Sequence, residues 1–589
     1  MWNFNRYKQC ALGLIVLQAA LLLTSASVHN PIDDELAHLP CGIIHWKTGD
    51  RTLYHVNPPL VRMAAALPVI ALYPDLVVPT FDKSIEPSDR PEYMVAYHFL
   101  QSNGNPELCS IYFWARCSCI LFPLIGAIVC WLWSRELYGD PAGLLALLLW
   151  TTCPLVLGWG ATIYPDVPAA SLGILAAYLF WRWTCCPNWS RTCWAGLALG
   201  AALLTKLTLL YMIVVLPIIW CLSFWRGSDS KQRSWGAEGQ QCLAIVLMSI
   251  LLVNLLYGFE RTLMPLEGFG FRSELLTGIK LGQWQFSNRF QDSLLGKVPI
   301  QFPEQYVLGF DTQRRDFEAN YWSYLNGQHR KGGWYYYYLS TACIKLPIGT
   351  LVLVGIALII TLSQIFKRQK ITGELFLGEL FLIAPMAVLM LVISSQTGIN
   401  WYTRYAIPAL PFLYIWTSKV ASTVFTSRPA MAIVIGLLAA CSAVESLSVF
   451  PHSISFFNRA IGGPTHGSEY LLDGAIDSGQ DLLLVKRWMD THPSKLPLRL
   501  QFAGVYRPKH LGIETLDVPK FERESEKSIV LAKGWYAISV NYVRGAHSVL
   551  GVDTRYCYFQ QFEPVGTIGY SINLYRFDSD TTVMRSENE

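Results

Sequence analysis

Three consecutive acidic residues follow directly on an apolar run near the start of the chain, in the stretch NPIDDELAHLP. They are Asp33, Asp34 and Glu35. Carboxylates at a water–lipid boundary could act as general bases towards a hydroxyl group. His38 lies four residues after Asp34, so the two side chains can share one face of a helix. The alternative explanation is that acids simply flank the outer end of a helix, and the stretch by itself leaves both open.

A further acidic residue, Asp166 in the stretch ATIYPDVPAA, lies at the predicted outer end of a membrane span. Prolines on either side of it restrict how the chain enters the bilayer. An ionisable group at this depth normally faces a cavity or a charged partner and not lipid. We therefore expect the carboxylates of Asp34 and Asp166 to converge at one membrane surface.

Four basic residues are predicted at the same membrane level, namely Arg116, Lys206, Lys345 and Arg404. Each one alone is explained by a long side chain that reaches the interface, or by an ion pair with a nearby acid. Together they suit a lipid-linked phosphate, because its charge needs cationic donors in a partly dehydrated groove. Carboxylates beside such cations indicate group transfer, in which a base deprotonates an acceptor hydroxyl while the charge on the departing phosphate is stabilised.

The composition indicates that membrane-spanning helices position these residues. The chain has 589 residues, of which 52% are hydrophobic and only 15% are charged. This balance is typical of an integral membrane protein. The net charge of +4 is too small to indicate a nucleic-acid partner. Most of the fifteen cysteines lie in apolar runs, and the loop cysteines Cys185, Cys186 and Cys193 lack the nearby histidines or second CxxC of a zinc site.

An apolar segment of about 20 residues can cross a bilayer, because a helix satisfies its own backbone groups. Apolar runs predict spans at residues 10–28, 109–133, 141–158, 166–183, 241–258, 336–363, 376–395, 403–423 and 429–449. Residues 194–225 are interpreted as two short helices that turn near Lys206, which gives about eleven crossings. The basic residues Arg135, Arg191 and Lys367 then share one side. This topology places the N-terminus in the cytoplasm and the C-terminus outside a plasma (inner) membrane.

Three large segments are predicted outside the membrane. Residues 29–108 contain an apolar, proline-interrupted stretch that suits the interface, and residues 259–335 are rich in aromatic side chains. After about residue 450 a helix is predicted in DLLLVKRWMDTH and strands in WYAISVNYV and TIGYSINLYRF. The predicted fold class is a polytopic α-helical membrane domain (1–450) followed by a small α/β extracytoplasmic domain (451–589).

Several stretches, taken in this order, resemble one family. They are DELAH, NPPL, the Asp after the third span, GGWYYYYLSTACIKLP, RYAIPALPFL and the tail segments GGPTHGSEYLLDGAIDSGQDL, GWYAISV and GYSINLYRF. They are similar to the GT-C membrane glycosyltransferases, among the relatives of protein O-mannosyltransferases and lipid A aminoarabinose transferases. The match is to family-39-like bacterial enzymes with an extracytoplasmic C-terminal tail. The resemblance implies inverting transfer of a sugar from a polyprenyl-phosphate donor to an acceptor outside the cytoplasm.

The resemblance also implies roles for particular residues. The catalytic base maps onto Asp34, with Glu35 beside it, and a further acid of the site maps onto Asp166. The residues expected near the donor phosphate are Lys206, Lys345, Arg404 and, from its depth in its span, Arg116. Sugars stack their C–H faces on rings, and the candidate contacts for sugar or acceptor are His38, Asn57, Trp334 and Tyr405. An interfacial aromatic belt is the alternative for the neighbouring run Tyr335–Tyr338.

The C-terminal tail departs from the family at one position. The family pattern is Asp-Trp-Gly-Gln-Asp, whereas this chain has Ser478 in place of the Trp. This difference weakens any role for Asp477 or Asp481, and we expect the tail to act as a scaffold in preference to acceptor recognition.

Neither a Walker-type phosphate loop nor an HExxH motif occurs, so a cytosolic nucleotide substrate is not expected. No cofactor is firmly predicted. Clustered carboxylates could nevertheless bind a divalent cation. The expected partners are a lipid-linked sugar donor and a protein, lipid or glycan acceptor. A transporter or flippase of polyprenyl-linked glycolipids would explain the spans and cations equally well, but it would place polar residues near the bilayer midplane and show internal repeats. A scaffold or sensor ranks last, because eleven crossings exceed what an anchor needs.

Overall fold

The computed structural model describes residues 4–79, 90–103, 107–225, 234–280, 285–367, 373–422, 429–522, 526–547 and 551–585. The α-helices are α1 (Phe4–Val28), α2 (Asp33–Thr48), α3 (Leu60–Leu72), α4 (Pro91–Ser102), α5 (Leu108–Cys119), α6 (Leu121–Tyr138), α7 (Asp140–Thr151), α8 (Pro154–Trp159), α9 (Asp166–Cys185), α10 (Trp189–Leu203), α11 (Met212–Trp225), α12 (Trp235–Leu256), α13 (Glu274–Thr277), α14 (Glu304–Glu318), α15 (Tyr337–Lys345), α16 (Ile348–Phe366), α17 (Gly373–Ser395), α18 (Leu410–Thr417), α19 (Pro429–Leu447), α20 (Leu482–Thr491) and α21 (Val540–Arg544). The strands are β1 (Trp322–Leu325), β2 (Gln328–Lys331), β3 (Leu498–Gln501), β4 (Ser528–Leu531), β5 (Gly534–Ser539), β6 (Ala546–His547), β7 (Val552–Asp553), β8 (Gly566–Ile568), β9 (Ile572–Phe577) and β10 (Thr581–Met584).

Seven helical segments of the described residues are long and apolar enough to cross a membrane. They are Asn5–Val28, Leu108–Tyr138, Leu207–Phe224, Trp235–Leu256, Ile348–Phe366, Gly373–Ser395 and Pro429–Leu447. The two short helices predicted for residues 194–225 are present as α10 and α11, with Lys206 in the turn before the 3₁₀ segment Leu207–Tyr211. The chain is therefore a multi-pass α-helical membrane protein, while the count of eleven crossings and the side of each terminus stay predictions.

Three of the predicted spans are interrupted. Residues 141–158 form α7 and α8, which are separated by Thr152 and Cys153. Residues 336–363 form α15 and α16 with a break at Leu346, because a residue before proline avoids the helical region and adopts φ −100° and ψ 143° here. In the predicted span 403–423, the described residues form the 3₁₀ segment Thr403–Ala409 before the short helix α18. The prediction of one continuous helix was wrong at these three places, and the irregular segment Thr403–Ala409 carries Arg404.

The segment between α1 and α5 begins with α2, whose first turn holds all three acids of the opening stretch. Negative charges at a helix N-terminus interact favourably with the helix dipole. Glu35 Oε2 also accepts a hydrogen bond from the backbone N–H of Ile32 at 3.1 Å. The helix ends at Gly49, whose φ of 75° is the left-handed conformation that commonly terminates a helix. The following helix α3 has 13 residues, which are too few to span a bilayer. This length agrees with the interfacial position predicted for the segment.

The C-terminal segment contains a four-stranded sheet in the order β3–β5–β9–β8. Strand β3 is parallel to β5, and the other pairs are antiparallel. The predicted helix in DLLLVKRWMDTH is α20, and TIGYSINLYRF forms β8 and β9. The strand predicted in WYAISVNYV is too long, because β5 ends at Ser539 and α21 follows. Ser539 Oγ accepts a hydrogen bond from the backbone N–H of Asn541 at 3.2 Å and so caps that helix.

Candidate active site

Asp34 lies in the first turn of α2, and its carboxylate is held from two sides. Tyr93, in α4, donates its hydroxyl to Asp34 Oδ1 at 2.8 Å, and Arg404 Nη2 donates to Oδ2 at 3.1 Å. The backbone N–H of Asp34 donates to the hydroxyl oxygen of Tyr164 at 3.0 Å. The side chain of Asp34 is 17% exposed. The carboxylate is therefore fixed in position and still accessible to a substrate hydroxyl.

Arg404 connects the two predicted acids. Its Nη2 contacts Asp34, and its Nη1 lies 3.6 Å from Asp166 Oδ2. Four aromatic rings surround the guanidinium, with Cζ-to-centroid distances of 4.1 Å for Tyr402, 4.3 Å for Tyr164, 5.3 Å for Trp159 and 5.6 Å for Tyr405. Guanidinium groups stack well on aromatic faces. The rings therefore fix the plane in which Arg404 presents its donors.

Asp166 begins α9 directly after the Tyr164–Pro165 turn, and its partner is Lys206. Lys206 Nζ donates a hydrogen bond to Asp166 Oδ1 and lies 4.2 Å from the centroid of the Tyr405 ring. The two charged residues are only 1% and 3% exposed. Removing one partner of such a pair leaves an uncompensated buried charge, so each keeps the other in place.

We call the group of Asp34, Asp166, Lys206 and Arg404 the charged cluster. Its two carboxylates and two cations balance in charge. Two buried atoms of the cluster, Asp166 Oδ2 and Arg404 Nε, have no hydrogen-bond partner among the described residues. Because buried polar atoms are rarely left without partners, an unsatisfied donor and an unsatisfied acceptor in one cluster indicate a place for a polar substrate group.

A cavity of about 230 Å³ adjoins the charged cluster, between the membrane domain and the C-terminal segment. Membrane-domain residues that line it are Asp33, Asp34, Tyr164, Trp401 and Tyr402. C-terminal residues that line it are Asp473, Gly474, Asp477, Ser478, Ala503, Gly504, Asn541, Tyr542, Ala546 and His547. The C-terminal segment therefore forms more than half of the wall of the cavity next to Asp34.

Two carboxyl groups of the cavity bind their protons more tightly than usual. Burial, followed by the neighbouring charge of Asp34, raises the pKa of Asp33 to about 7. Burial raises the pKa of Asp477 to about 8, although it accepts hydrogen bonds from Ser539 Oγ and Gly479 N. Near neutral pH the cavity therefore carries less negative charge than its four aspartates suggest.

Glu35 and Arg116, predicted as catalytic and phosphate-binding, instead bind each other in the interior. Arg116 donates to Glu35 Oε1 at 2.9 Å and to Oε2 at 2.5 Å. Arg116 also donates to the carbonyls of Ala26, His29 and Asn30, and Glu35 accepts from the backbone N–H groups of Ile32 and Ile163. Both side chains are buried, at 0% and 3% exposed. This geometry shows that the pair holds the loop before α2 in place, while the roles predicted for Glu35 and Arg116 stay predictions.

Lys345, the fourth predicted phosphate ligand, lies apart from the charged cluster. Its Nζ donates to the carbonyls of Ile454 at 2.9 Å and Ala475 at 2.6 Å. The ammonium also lies 4.1 Å from the centroid of the Phe457 ring. Because these contacts join the end of α15 to the C-terminal segment, the structure places Lys345 in a domain junction.

Of the four residues predicted to contact the sugar or the acceptor, some lie at the charged cluster and others lie away from it. Tyr405 packs against both cations of the charged cluster. His38 stacks on Tyr54 at 4.1 Å and meets the ring of Tyr164 edge-on at 6.2 Å, one layer behind Asp34. The carbonyl of Asn57 accepts from Arg62, and Trp334 is 5% exposed within an apolar core. Asn57 and Trp334 are therefore not brought to the cluster.

The sequence did not single out three tyrosines that contact Asp34 or Arg404, namely Tyr93, Tyr164 and Tyr402. Tyr164 lies two residues before Asp166, and Tyr402 lies two residues before Arg404. This closeness to predicted site residues is the sequence feature that could have indicated both tyrosines. Tyr93 is separated from Asp34 by 59 residues and lies in a different helix. No local pattern points to such a contact, because only the packing of α4 against α2 creates it.

Comparison with known proteins gives one match to a family model. The model described as dolichyl-phosphate-mannose-protein mannosyltransferase matches residues 110–257, about a quarter of the chain. This segment includes Asp166 and Lys206 of the charged cluster. No curated protein sequence matches the chain.

The chain is also similar to several solved structures. ArnT from Cupriavidus metallidurans bound to undecaprenyl phosphate has 11% identity and a TM-score of 0.45, with 96% of this chain and 97% of that one covered. The apo state of ArnT has 14% identity and a TM-score of 0.41, with 75% and 66% covered, just under two thirds of its length. The oligosaccharyltransferase AglB from Archaeoglobus fulgidus has 12% identity and a TM-score of 0.43, with 76% and 56% covered. Over residues 110–257, the chain is thus similar to the dolichyl-phosphate-mannose-protein mannosyltransferase family.

Proposed function

We propose that the protein is a membrane glycosyltransferase that moves a sugar from a polyprenyl-phosphate donor to a hydroxyl acceptor on the extracytoplasmic side, with inversion at the anomeric carbon. The observation that carries this proposal is the link made by Arg404. It joins an accessible carboxylate, Asp34, to a buried acid–base pair, Asp166 and Lys206, at the edge of a cavity. The family-model match over residues 110–257 supports the same reaction class.

Asp34 has the geometry of a general base. Its carboxylate is oriented by Tyr93 and Arg404, and it lines the cavity in which an acceptor would bind. An acceptor hydroxyl gives its proton to Asp34 while its oxygen forms a bond to the anomeric carbon. The bond from that carbon to the phosphate oxygen breaks in the same step. Attack from the side opposite to the leaving group inverts the configuration at the anomeric carbon. Proton transfer to a positioned base typically increases the rate of such a reaction by about 10²- to 10⁴-fold.

Arg404 and Lys206 are the groups suited to the leaving phosphate. Both are buried, so their charges act in a poorly screened environment. Arg404 Nε has a free N–H among the described residues, and a phosphate oxygen could accept from it without breaking an existing hydrogen bond. Asp166 then keeps both cations charged and oriented before the donor arrives.

The cavity next to Asp34 is the proposed acceptor site. Tyr164, Trp401 and Tyr402 offer rings for a sugar or a similar apolar face, and the C-terminal segment offers polar groups opposite them. The acceptor class, whether protein, lipid or glycan, is set by this wall. The C-terminal segment is therefore proposed to take part in acceptor binding as well as to support the fold.

The proposal is tested by comparing cells without the protein to cells that carry wild-type, Asp34→Asn or Asp140→Asn chains. Asp140 is the matched control, because it pairs with Arg135 at 2.7 Å away from the charged cluster. Mass spectrometry of envelope glycans and glycoproteins should reveal a sugar that is missing from cells without the protein. Wild type and Asp140→Asn should restore this sugar, and Asp34→Asn should not, at equal protein levels. A sugar modification restored equally by Asp34→Asn would contradict the proposal, as would glycans that do not change when the protein is removed.

A further inference from the structure

Two histidines and an aspartate converge at the junction between the end of α1 and the C-terminal segment. His29 Nδ1 lies 3.2 Å and His452 Nδ1 lies 3.8 Å from the same oxygen, Asp481 Oδ1. One nitrogen or oxygen atom from each residue lies within 4.8 Å of the others. His29 is 8% exposed and Asp481 is fully buried. We call these three residues the His–Asp triad.

The three converging atoms do not form hydrogen bonds with one another or with other described residues. His29 Nε2 lies 3.0 Å from the carbonyl oxygen of Pro451. A carbonyl can only accept, so Nε2 carries a hydrogen, and in the neutral ring His29 Nδ1 is then a lone pair. A lone pair that faces a carboxylate oxygen is repelled by it, and a cation between the two atoms, either a proton or a metal ion, removes the repulsion.

The surroundings hold the Asp481 carboxylate in this orientation. Ser571 Oγ donates to its other oxygen, Oδ2, at 2.6 Å. Gly569 has a φ of 63°, and a Cβ there would collide with the carboxylate, so glycine is needed for the close approach of this loop. A hydrogen bond from the second ring nitrogen of a histidine to a carbonyl, and one from a hydroxyl to a carboxylate, are the contacts that orient metal ligands in proteins.

We propose that the His–Asp triad binds a divalent transition-metal ion, of which Zn²⁺ fits best. Two imidazole nitrogens and one carboxylate oxygen are typical zinc ligands, and three protein ligands leave the fourth position for water. Ligands at about 2.0–2.1 Å in a tetrahedral arrangement lie about 3.3 Å apart. The two nitrogen-to-oxygen separations, 3.2 and 3.8 Å, are close to that spacing. All three ligand atoms lie within 4.8 Å of one another.

The proposed ion would join the first span to the C-terminal segment. His29 directly follows α1, His452 follows α19, and Asp481 precedes α20. The neighbouring Asn30 reinforces the same junction, because it donates to the Gly479 carbonyl at 2.7 Å and accepts from the backbone N–H of Leu482 at 2.8 Å. The ion would thus stabilise the position of the loop that leads to Asp34. It takes no part in the transfer reaction, so the proposal stands or fails independently of the proposed function.

Metal content of the purified full-length chain tests the proposal directly. The protein carries an affinity tag without histidine, is incubated in detergent with equimolar Zn²⁺, is desalted, and is analysed by inductively coupled plasma mass spectrometry. Wild type should retain about one zinc ion per chain. Asp481→Asn and His452→Ala should retain about tenfold less. His466→Ala, which alters an exposed histidine–carboxylate pair, should retain as much as wild type.

A further measurement on wild type decides the question even if the variants do not fold. X-ray absorption at the zinc edge should show nitrogen and oxygen ligands at about 2.0–2.1 Å with the imidazole signature of two histidines. A chelator should lower the melting temperature of wild type, and added Zn²⁺ should restore it. Wild type without zinc above the buffer level would overturn the proposal. Equal zinc content in wild type and Asp481→Asn would also overturn it, because the ion would then lie elsewhere.

Discussion

At the scale of single residues, Arg404 is the centre of the site. The sequence predicted that Asp34, Asp166, Lys206 and Arg404 would share one membrane level, and the structure brings all four together. The sequence left open whether each cation would pair with an acid, and it did not indicate which pairs would form. Charges of both signs at one depth are compatible with separate roles, and only their three-dimensional arrangement shows that one guanidinium contacts both carboxylates.

Replacement of Arg404 with alanine is predicted to weaken donor binding by about 10- to 100-fold, the cost of losing hydrogen bonds from a charged group. Acceptor binding should change much less, because the cavity wall stays in place. Arg135→Ala is the control, since Arg135 pairs with Asp140 outside the site. Binding of a polyprenyl-phosphate sugar, measured by calorimetry in detergent, checks the donor effect. Equal losses of donor and acceptor affinity would count against a phosphate contact.

At the scale of elements, the Glu35–Arg116 pair shows why neighbouring acids in one turn take different roles. Asp34 and Glu35 are adjacent in α2, so their side chains point in directions about 100° apart around the helix. Asp34 faces the cavity, whereas Glu35 faces the interior, where Arg116 of α5 meets it. The sequence indicated only that Asp34 and His38 can share one helical face, and burial of Glu35 depends on how α5 packs against the loop.

Arg116→Met is predicted to destabilise the fold by about 3–5 kcal/mol, because it leaves the carboxylate of Glu35 buried without a partner. The double variant Glu35→Gln with Arg116→Met should recover part of this loss. Denaturant unfolding in detergent micelles measures both. Arg261→Met is the control for an exposed ion pair, since Arg261 is 60% exposed beside Glu304, and it should cost less than about 1 kcal/mol. A stable Arg116→Met protein with impaired donor binding would instead support the phosphate role predicted from the sequence.

At the scale of the whole molecule, the membrane domain and the C-terminal segment share one cavity. The sequence favoured a scaffold role for the tail, because Ser478 replaces a tryptophan of the family pattern. In the structure Ser478 and Asp477 line the cavity, and the small serine side chain leaves space in it. Contacts between segments some 440 residues apart arise only when the chain folds, so no periodicity or spacing in the sequence could indicate them.

Ser478→Trp is predicted to raise the KM for the acceptor by about tenfold, because a bulky ring would occupy part of the 230 Å³ cavity. The affinity for the donor should remain that of wild type. Ser528→Trp, at an exposed position of β4, controls for the added ring. Initial rates at varied acceptor concentration provide the measurement. Acceptor kinetics that are unchanged in Ser478→Trp would show that this cavity does not bind the acceptor.

The central claim is that Asp34 removes the acceptor proton. The most direct test is the turnover of purified Asp34→Asn with a polyprenyl-phosphate sugar, measured beside the binding constant for that donor. The account predicts that kcat falls by at least about 10²-fold while the donor still binds, because asparagine keeps the shape of the side chain and cannot accept the proton. Turnover within about tenfold of wild type in a folded, donor-binding Asp34→Asn protein would contradict it.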